Sequence, residues 1–325
     1  EWAEQDNQEW QAVSPTLTVP SRFHSHTKLD SGKVIKNPKY DGSSPIDAMA
    51  WHNDRFARLR SRCQKAGIKV YGYVAVEPHH DGCPHIHALY WIKPEDCLSF
   101  QRIVSSLWCE EPEKGSDERR VRWVVIDPEM GSAVGYISKY ISKGIDGYGV
   151  GIDDETGKPS TDSSSRVVAW ARTWGIRQFR QVGGPPVTVW RELRRLANQP
   201  EHLPANDVRP DQFCLALEAA DQGDWCSFIS AMGGAICRRK DRPVWPFYVL
   251  RKSSGIYGDA VNYIRGLMTK GFEFPLLTRV REWTVRFSRL DRPKKLNQVI
   301  HSIKSEASEW GVMRAPQAFA LDLCQ

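Results

Sequence analysis

The chain has 325 residues, 41% hydrophobic and 26% charged, a composition that excludes a disordered or fibrous protein and allows one or two globular domains. It contains no run of eighteen apolar residues, so no segment reads as a membrane helix. A net charge of +6 and a pI of about 8.8 permit a nucleic-acid partner without requiring one.

The basic residues gather at Arg119 to Arg122, Arg191 to Arg195, Arg238 to Lys240 and Arg292 to Lys295, each of which also reads as a solvated face. The eight cysteines show no C-x-x-C pair and no finger spacing, which points to reduced thiols in an intracellular protein. The opening Glu1-Trp2-Ala3 has no initiator methionine and no leader pattern, so the chain is expected to be a piece of a longer protein.

In chain order, Leu17-Thr18-Val19 reads as a first strand closed by Pro20, followed by a polar loop. Phe56, Leu59 and Cys63 recur at helical spacing, predicting a helix from Ile46 to Ala66 that Gly67 ends. Lys69 to Glu77 and His85 to Ile92 read as strands joined through Asp81-Gly82, an antiparallel hairpin. A helix over Glu95 to Cys109 and a strand over Val121 to Ile126 come next, then a helix to Lys143 with Ser132 as its cap. Asp146 to Ser165 is rich in Gly, Asp and Ser and is expected to be a mobile loop. Trp170 to Gln181 reads as helix then strand, and Val189 to Ala197 as a basic helix. Two further helices are expected near Phe213 to Ala220 and Trp225 to Met232. The order predicts an α+β fold, a central antiparallel sheet flanked by helices.

Two groups of residues carry chemistry. His85 and His87 stand two apart in a strand and so project to one face, where both imidazoles can hold one metal ion. Glu77, across the hairpin, offers a carboxylate as third ligand, with His79 or His80 in the turn as alternatives. The bare pattern is weak, since His24-Ser25-His26 has the same spacing; the apolar strand around the second pair (Ile86, Ala88, Leu89) and the acid across the turn favour it over the alternative of two structural histidines. The second group is Gly135 to Gly144. At about 100° per residue, Tyr136, Tyr140, Lys139 and Lys143 share one helix face, while Val134, Ile137 and Ile141 form a separate apolar stripe. A phenol is a poor nucleophile at its ordinary pKa of about 10, and a metal or ammonium beside the target phosphate compensates for this. A packed amphipathic helix with surface tyrosines is the plainer alternative. In Trp170 to Arg180, aromatics alternate with arginines as in a single-strand groove, and Arg172, Trp174, Arg177 and Arg180 are the candidate contacts. Arg191, Arg194 and Arg195 on the next helix are candidates for phosphates. The same segment also reads as a strand with its aromatics inward.

Together these segments resemble the HUH endonucleases, and within them the bacteriophage replication gene A proteins. The motifs run in family order: Leu17 to Ser21, Ala75 to His87, Gly135 to Lys143, Trp174 to Phe179, Gly183-Gly184 and Trp190 to Arg195. The resemblance covers about residues 15 to 200. It implies an enzyme that nicks one strand of a phage replication origin by tyrosine attack, leaving a 5′-phosphotyrosine and a free 3′-hydroxyl that starts rolling-circle replication. Under it, Tyr136 and Tyr140 match the paired nucleophiles, with Lys139 and Lys143 beside them, and Mg²⁺ or Mn²⁺ is held by His85, His87 and Glu77. It also implies single-stranded origin DNA and a host replicative helicase as partners, and the bacterial cytoplasm as location. A nuclease domain over 1–200 and a mostly helical accessory region over 201–325, with a possible DNA-binding role, are expected. A relaxase or transposase-like nuclease of the same superfamily, which the second tyrosine argues against, and a non-catalytic origin-binding module are the rival readings.

Overall fold

A computed structural model describes residues 10–29, 31–111, 117–126, 133–149, 151–152, 159–205, 208–252 and 260–280. Ser132, the acidic run at 153–155, Arg292 to Lys295, Cys324 and the first three residues lie outside them. The described helices and strands all belong to one compact unit that ends at Thr278.

The central sheet has five antiparallel strands: β1 (Gln11–Leu17), β4 (Val70–Pro78), β5 (Pro84–Ile92), β6 (Val121–Val125) and β7 (Phe179–Val182), in the order β6-β1-β5-β4-β7. A two-stranded ribbon, β2 (His26–Lys28) with β3 (Val34–Lys36), stands apart from it. β1 starts and ends earlier than expected, so Thr18 and Val19 follow the strand. Pro15 lies inside it, a residue that ordinarily argues against a strand interior.

β5 is the middle strand, and its alternation divides the fold. Ile86, Ala88, Tyr90 and Ile92 point to one side, all at most 1% exposed. They meet α1 (Pro45–Lys65) and α2 (Pro94–Trp108) in the main core, with Phe56, Leu59, Phe100, Val104 and Leu107. Ser44 and Asp47 form a capping box at the start of α1, with Pro45 in its first turn. Gly67, at φ +74, follows its end. Phe100, Val104, Leu107 and Trp108 of α2 are fully buried, and truncating one such side chain to Ala typically costs about 2–5 kcal/mol. Gly72 of β4 has no room for a side chain, because a Cβ there would lie 2.0 Å from the Leu89 carbonyl oxygen of β5.

On the opposite side, α3 (Ala133–Lys143) lies over β4 and β5. Ala133, Ile137 and Tyr140 form a small core with Ala75 and Leu89. Tyr140 therefore belongs to the packed face, not to a face separate from the apolar stripe. The wheel set Tyr140 on a separate arc although it falls only about 60° from Ile137, and at that border its ring buries as a large apolar surface.

The expected loop over Asp146 to Ser165 is overturned in its last part: α4 (Ser160–Thr173) begins at Ser160. Ser160, Ser163 and Ser164 are buried, and their small size, rather than helix propensity, suits them to that contact. The seven described cysteines are free thiols, as expected from their spacing.

Beyond the sheet, α5 (Val187–Ala197), α6 (Asp211–Gln222) and α7 (Trp225–Ala231) pack with a three-stranded antiparallel sheet of β8 (Val244–Lys252), β9 (Ala260–Thr269) and β10 (Leu276–Leu277). They share a second core in which Val189, Leu193, Leu196, Phe213, Phe228 and Leu267 are fully buried. Both helices expected past residue 200 are present. The strands fall in the stretch whose sequence signals were mixed.

Candidate active site

The hairpin of β4 and β5 carries the metal candidates. Glu77 is paired in register with His85, and Ala75 with His87. The two histidine rings lie 4.8 Å apart, edge to face. His87 Nε2 is 3.9 Å from Glu77 Oε2, and both side chains are nearly buried. Burial holds His87 near a pKa of about 3, with the charges of Lys139 and Lys143 adding to the effect. Burial also pushes His85 well below its ordinary value, reinforced by His87 and His79. Both imidazoles are thus neutral at neutral pH, the state in which a ring nitrogen can bind a metal.

α3 brings the second group to the same place. The Tyr140 ring stacks on His87 with centroids 3.7 Å apart and planes 16° from parallel. Its hydroxyl donates to the Tyr136 hydroxyl at 3.4 Å. Lys139 Nζ lies 4.8 Å from the Tyr140 ring centre and 5.6 Å from that of Tyr136. Lys143 is 8% exposed. Two phenols, two lysines and two neutral imidazoles therefore converge on one side of the sheet, an arrangement whose chemistry suits an anionic group.

The turn holds a second constellation. His79 N–H donates to the Cys83 carbonyl and Gly82 N–H to that of His79, with Gly82 at φ +79. Asp81 accepts from the Cys83 N–H and from His24 Nδ1, each at 3.1 Å. Burial opposes its charge, but the His24 contact and the Cys83 bond hold its pKa down to about 2. Trp170 Nε1 donates to the Gly82 carbonyl at 2.9 Å. Among the described residues, His79–His80–Asp81 and His24–Asp81–Cys83 already have ligand atoms within 4.8 Å of one another, while His85–His87–Glu77 does not. Both Asp81 oxygens are engaged in pinning the turn, so that carboxylate acts as a clamp on the hairpin carrying His85. Two imidazoles and a carboxylate at His85, His87 and Glu77 fit a divalent ion that keeps open positions.

The arginine and aromatic residues of 170–180 do not form one groove. Trp170 and Trp174 pack against the main core, and Phe179 packs with Tyr73 beneath α3. Arg180 points to the other face of the sheet, donating to Asn53 at 2.6 Å and lying 5.0 Å over the Phe56 ring. Alternation along β7 separates neighbours that the sequence pattern groups together. Arg172 and Arg177 are exposed, as are Arg191, Arg194 and Arg195 along the outer side of α5. Arg195 sits 3.6 Å from the buried Glu192.

Sequence reasoning missed the His24–Asp81 clamp, the Trp170 tie and the fully buried His52, whose Nδ1 accepts from Trp108 Nε1 at 3.2 Å. Those contacts join residues at least 56 positions apart, and no periodic pattern encodes them.

Residues 1–148 match the family model described as bacteriophage replication gene A protein. The replication gene A protein of Escherichia phage 186 is 39% identical over 279 residues, covering 83% of this chain and 39% of that protein. The replication protein of Haemophilus phage HP1 is 34% identical, covering 95% of this chain and 38% of its own length. The chain belongs to the bacteriophage replication gene A protein family. A relative in Salmonella typhimurium, described as a probable replication endonuclease from a prophage-like region, is 34% identical over 84% of this chain. The chain spans between about a third and two fifths of the length of these relatives. No solved structure matches it. No helix among the described residues is long and apolar enough to cross a membrane.

Proposed function

We propose that this chain carries the DNA nicking and joining centre of a phage replication initiator, with an HUH-type site. The observation that carries the reading is the stack of Tyr140 on His87, with the Tyr136 hydroxyl 3.4 Å from that of Tyr140. Two phenols beside the two histidines support a reading in which either phenol reaches a phosphate held there.

In this reading a tyrosine hydroxyl loses its proton and its oxygen bonds to phosphorus as the P–O3′ bond breaks. The products are a 5′-phosphotyrosine and a free 3′-hydroxyl that primes synthesis. The phosphoester energy is retained, so the reverse attack by a 3′-hydroxyl reseals the strand without ATP. His85, His87 and Glu77 would hold Mg²⁺ or Mn²⁺. That ion would make phosphorus more electrophilic and neutralise developing charge. Its nitrogen-rich donor set favours Mn²⁺ for tight binding, since Mg²⁺ prefers oxygen ligands. Lys139 and Lys143 add positive charge beside the phosphate. Tyr136 and Tyr140 alternate, one holding a 5′ end while the other makes the closing cut.

The substrate in this account is single-stranded origin DNA, gripped in part by Arg172, Arg177, Arg191, Arg194 and Arg195, in the bacterial cytoplasm with a host helicase opening the duplex. We assign the nuclease to about residues 1–200 and an accessory, DNA-supporting role to 201–325, with α5 contributing its apolar side to the accessory core. Incubation of the chain with a labelled single-stranded origin oligonucleotide and Mn²⁺ tests the reading. A nick and a covalent adduct are expected, and binding with neither would falsify it.

A further inference from the structure

β1 runs antiparallel to β5 on the side away from Glu77, with Thr16 opposite His87 in the register. Thr18 follows two residues later, its backbone fixed by an N–H bond to the Arg120 carbonyl at 2.9 Å. Two-residue spacing along extended chain puts both hydroxyls on the face that carries the histidines. Thr16 Oγ1 is 3.4 Å from His87 Nδ1, and Thr18 Oγ1 is 3.2 Å from His85 Nδ1. In both pairs the hydroxyl meets Nδ1. On His87 the other ring nitrogen, Nε2, faces Glu77.

A neutral imidazole carries one N–H and one lone pair, and the partner of one nitrogen decides which role the other takes. A threonine hydroxyl can donate to Nδ1 or accept from Nδ1–H, and where it accepts, Nε2 keeps its lone pair. We propose that Thr16 and Thr18 are positioning residues that hold His87 and His85 as Nδ1–H tautomers, so that both rings present Nε2 to the ion. The inference rests on the metal reading of His85 and His87, and adds to it an outer pair of groups on a different strand. Such partners of ligating histidines orient the rings and raise their basicity, and losing them typically weakens metal binding about 10–100-fold. The repeat matters: two ligands two residues apart on one strand reach one ion in matching fashion when both present Nε2, and two threonines at the same spacing place the same partner at both Nδ1 atoms.

The tautomers can be read without any metal. Long-range ¹H–¹⁵N spectra of the metal-free, ¹⁵N-labelled chain, with signals assigned through His85→Ala and His87→Ala, are expected to show Nδ1–H at both rings. Thr16→Val removes one hydroxyl at nearly constant shape and is expected to shift His87 toward Nε2–H while leaving His85 unchanged. Thr18→Val should do the converse. A merely structural role would disturb both rings together, and each single variant remains informative should the double variant not fold. In calorimetry with Mn²⁺ alone, the double Val variant is expected to bind about 10–100-fold more weakly. Thr16→Ser with Thr18→Ser should restore binding to within a few-fold. Nε2–H at both rings of the wild type, or Val variants with unchanged tautomers and Mn²⁺ affinity, would overturn the proposal. Mn²⁺ binding that survives His85→Ala with His87→Ala would instead overturn the metal reading itself, whatever the tautomers.

Discussion

His52 sits fully buried in α1, between Phe56 and the two tryptophans Trp51 and Trp108, on the side of the sheet opposite the tyrosines. Burial depresses its pKa from 6.5 to about 3. Between those two values the unfolded chain takes up a proton that the folded chain refuses, so stability falls as the solution is acidified. The contribution is fully present above pH 6.5, drains through the window from 6.5 down to about 3, and is gone below it. A window of about 3.5 units at about 1.4 kcal/mol per unit amounts to roughly 5 kcal/mol, a large share of a domain's net stability. His52→Gln keeps an acceptor within reach of the Trp108 N–H and removes the titration. Urea unfolding of the metal-free chain at pH values from 7 to 5 gives the two slopes. His85 and His87 titrate in the same direction in both proteins and cancel in the comparison. The wild type is expected to lose up to about 1.4 kcal/mol more per pH unit than the variant. Parallel pH dependence in the two proteins would refute the idea that His52 is held neutral by its burial.

The site and its support give further expectations. His87→Ala should abolish cleavage while leaving the affinity for origin DNA within a few-fold of wild type, as gel shift and nicking assays on the same oligonucleotide would show. Gly72→Ala drives a methyl group into the Leu89 carbonyl, and is expected to cost about 1–3 kcal/mol in urea unfolding and to reduce nicking through the hairpin. Replacing Arg191, Arg194 and Arg195 by Ala should weaken DNA binding uniformly across sequences and flatten its salt dependence, by about 0.7 in slope for each single-strand phosphate that is no longer neutralised. Arg180→Ala, on the far face against Asn53 and Phe56, should instead cost stability and leave that slope unchanged.

Much of the fold was legible because the elements that matter repeat locally. The alternation of Ile86, Ala88 and Tyr90 against His85, His87 and Leu89 marks a strand packed on both sides, and Asp81-Gly82 marks its turn. The three-and-four spacing in α1 and the β-branched run at Val121 did the same for their elements. Legibility failed where packing overrides composition. Three buried serines start α4 inside a stretch that reads as loop, and Tyr140 buries on the sheet although the wheel sets it on a separate arc. The aromatics of 170–180 looked like one platform, but strand alternation and the core distribute them over two faces. The candidate site divides in the same way. His85, His87, Tyr136 and Tyr140 can be picked out from spacing together with their strand and helix context, whereas Thr16 and the His24–Asp81 clamp, like His52 on the far face, depend on contacts between distant strands and helices.

The central claim is that a phenol on α3 attacks the phosphate, and mass mapping of the covalent peptide tests it most directly. The chain is incubated with single-stranded origin DNA and Mn²⁺, digested, and searched for a nucleotide-bearing peptide. A 5′-linked nucleotide on Tyr136 or Tyr140 is expected, and it should vanish only when both become Phe. Nicking that persists in the double Phe variant, with no modified tyrosine peptide, would mean that water is the nucleophile and would contradict the account.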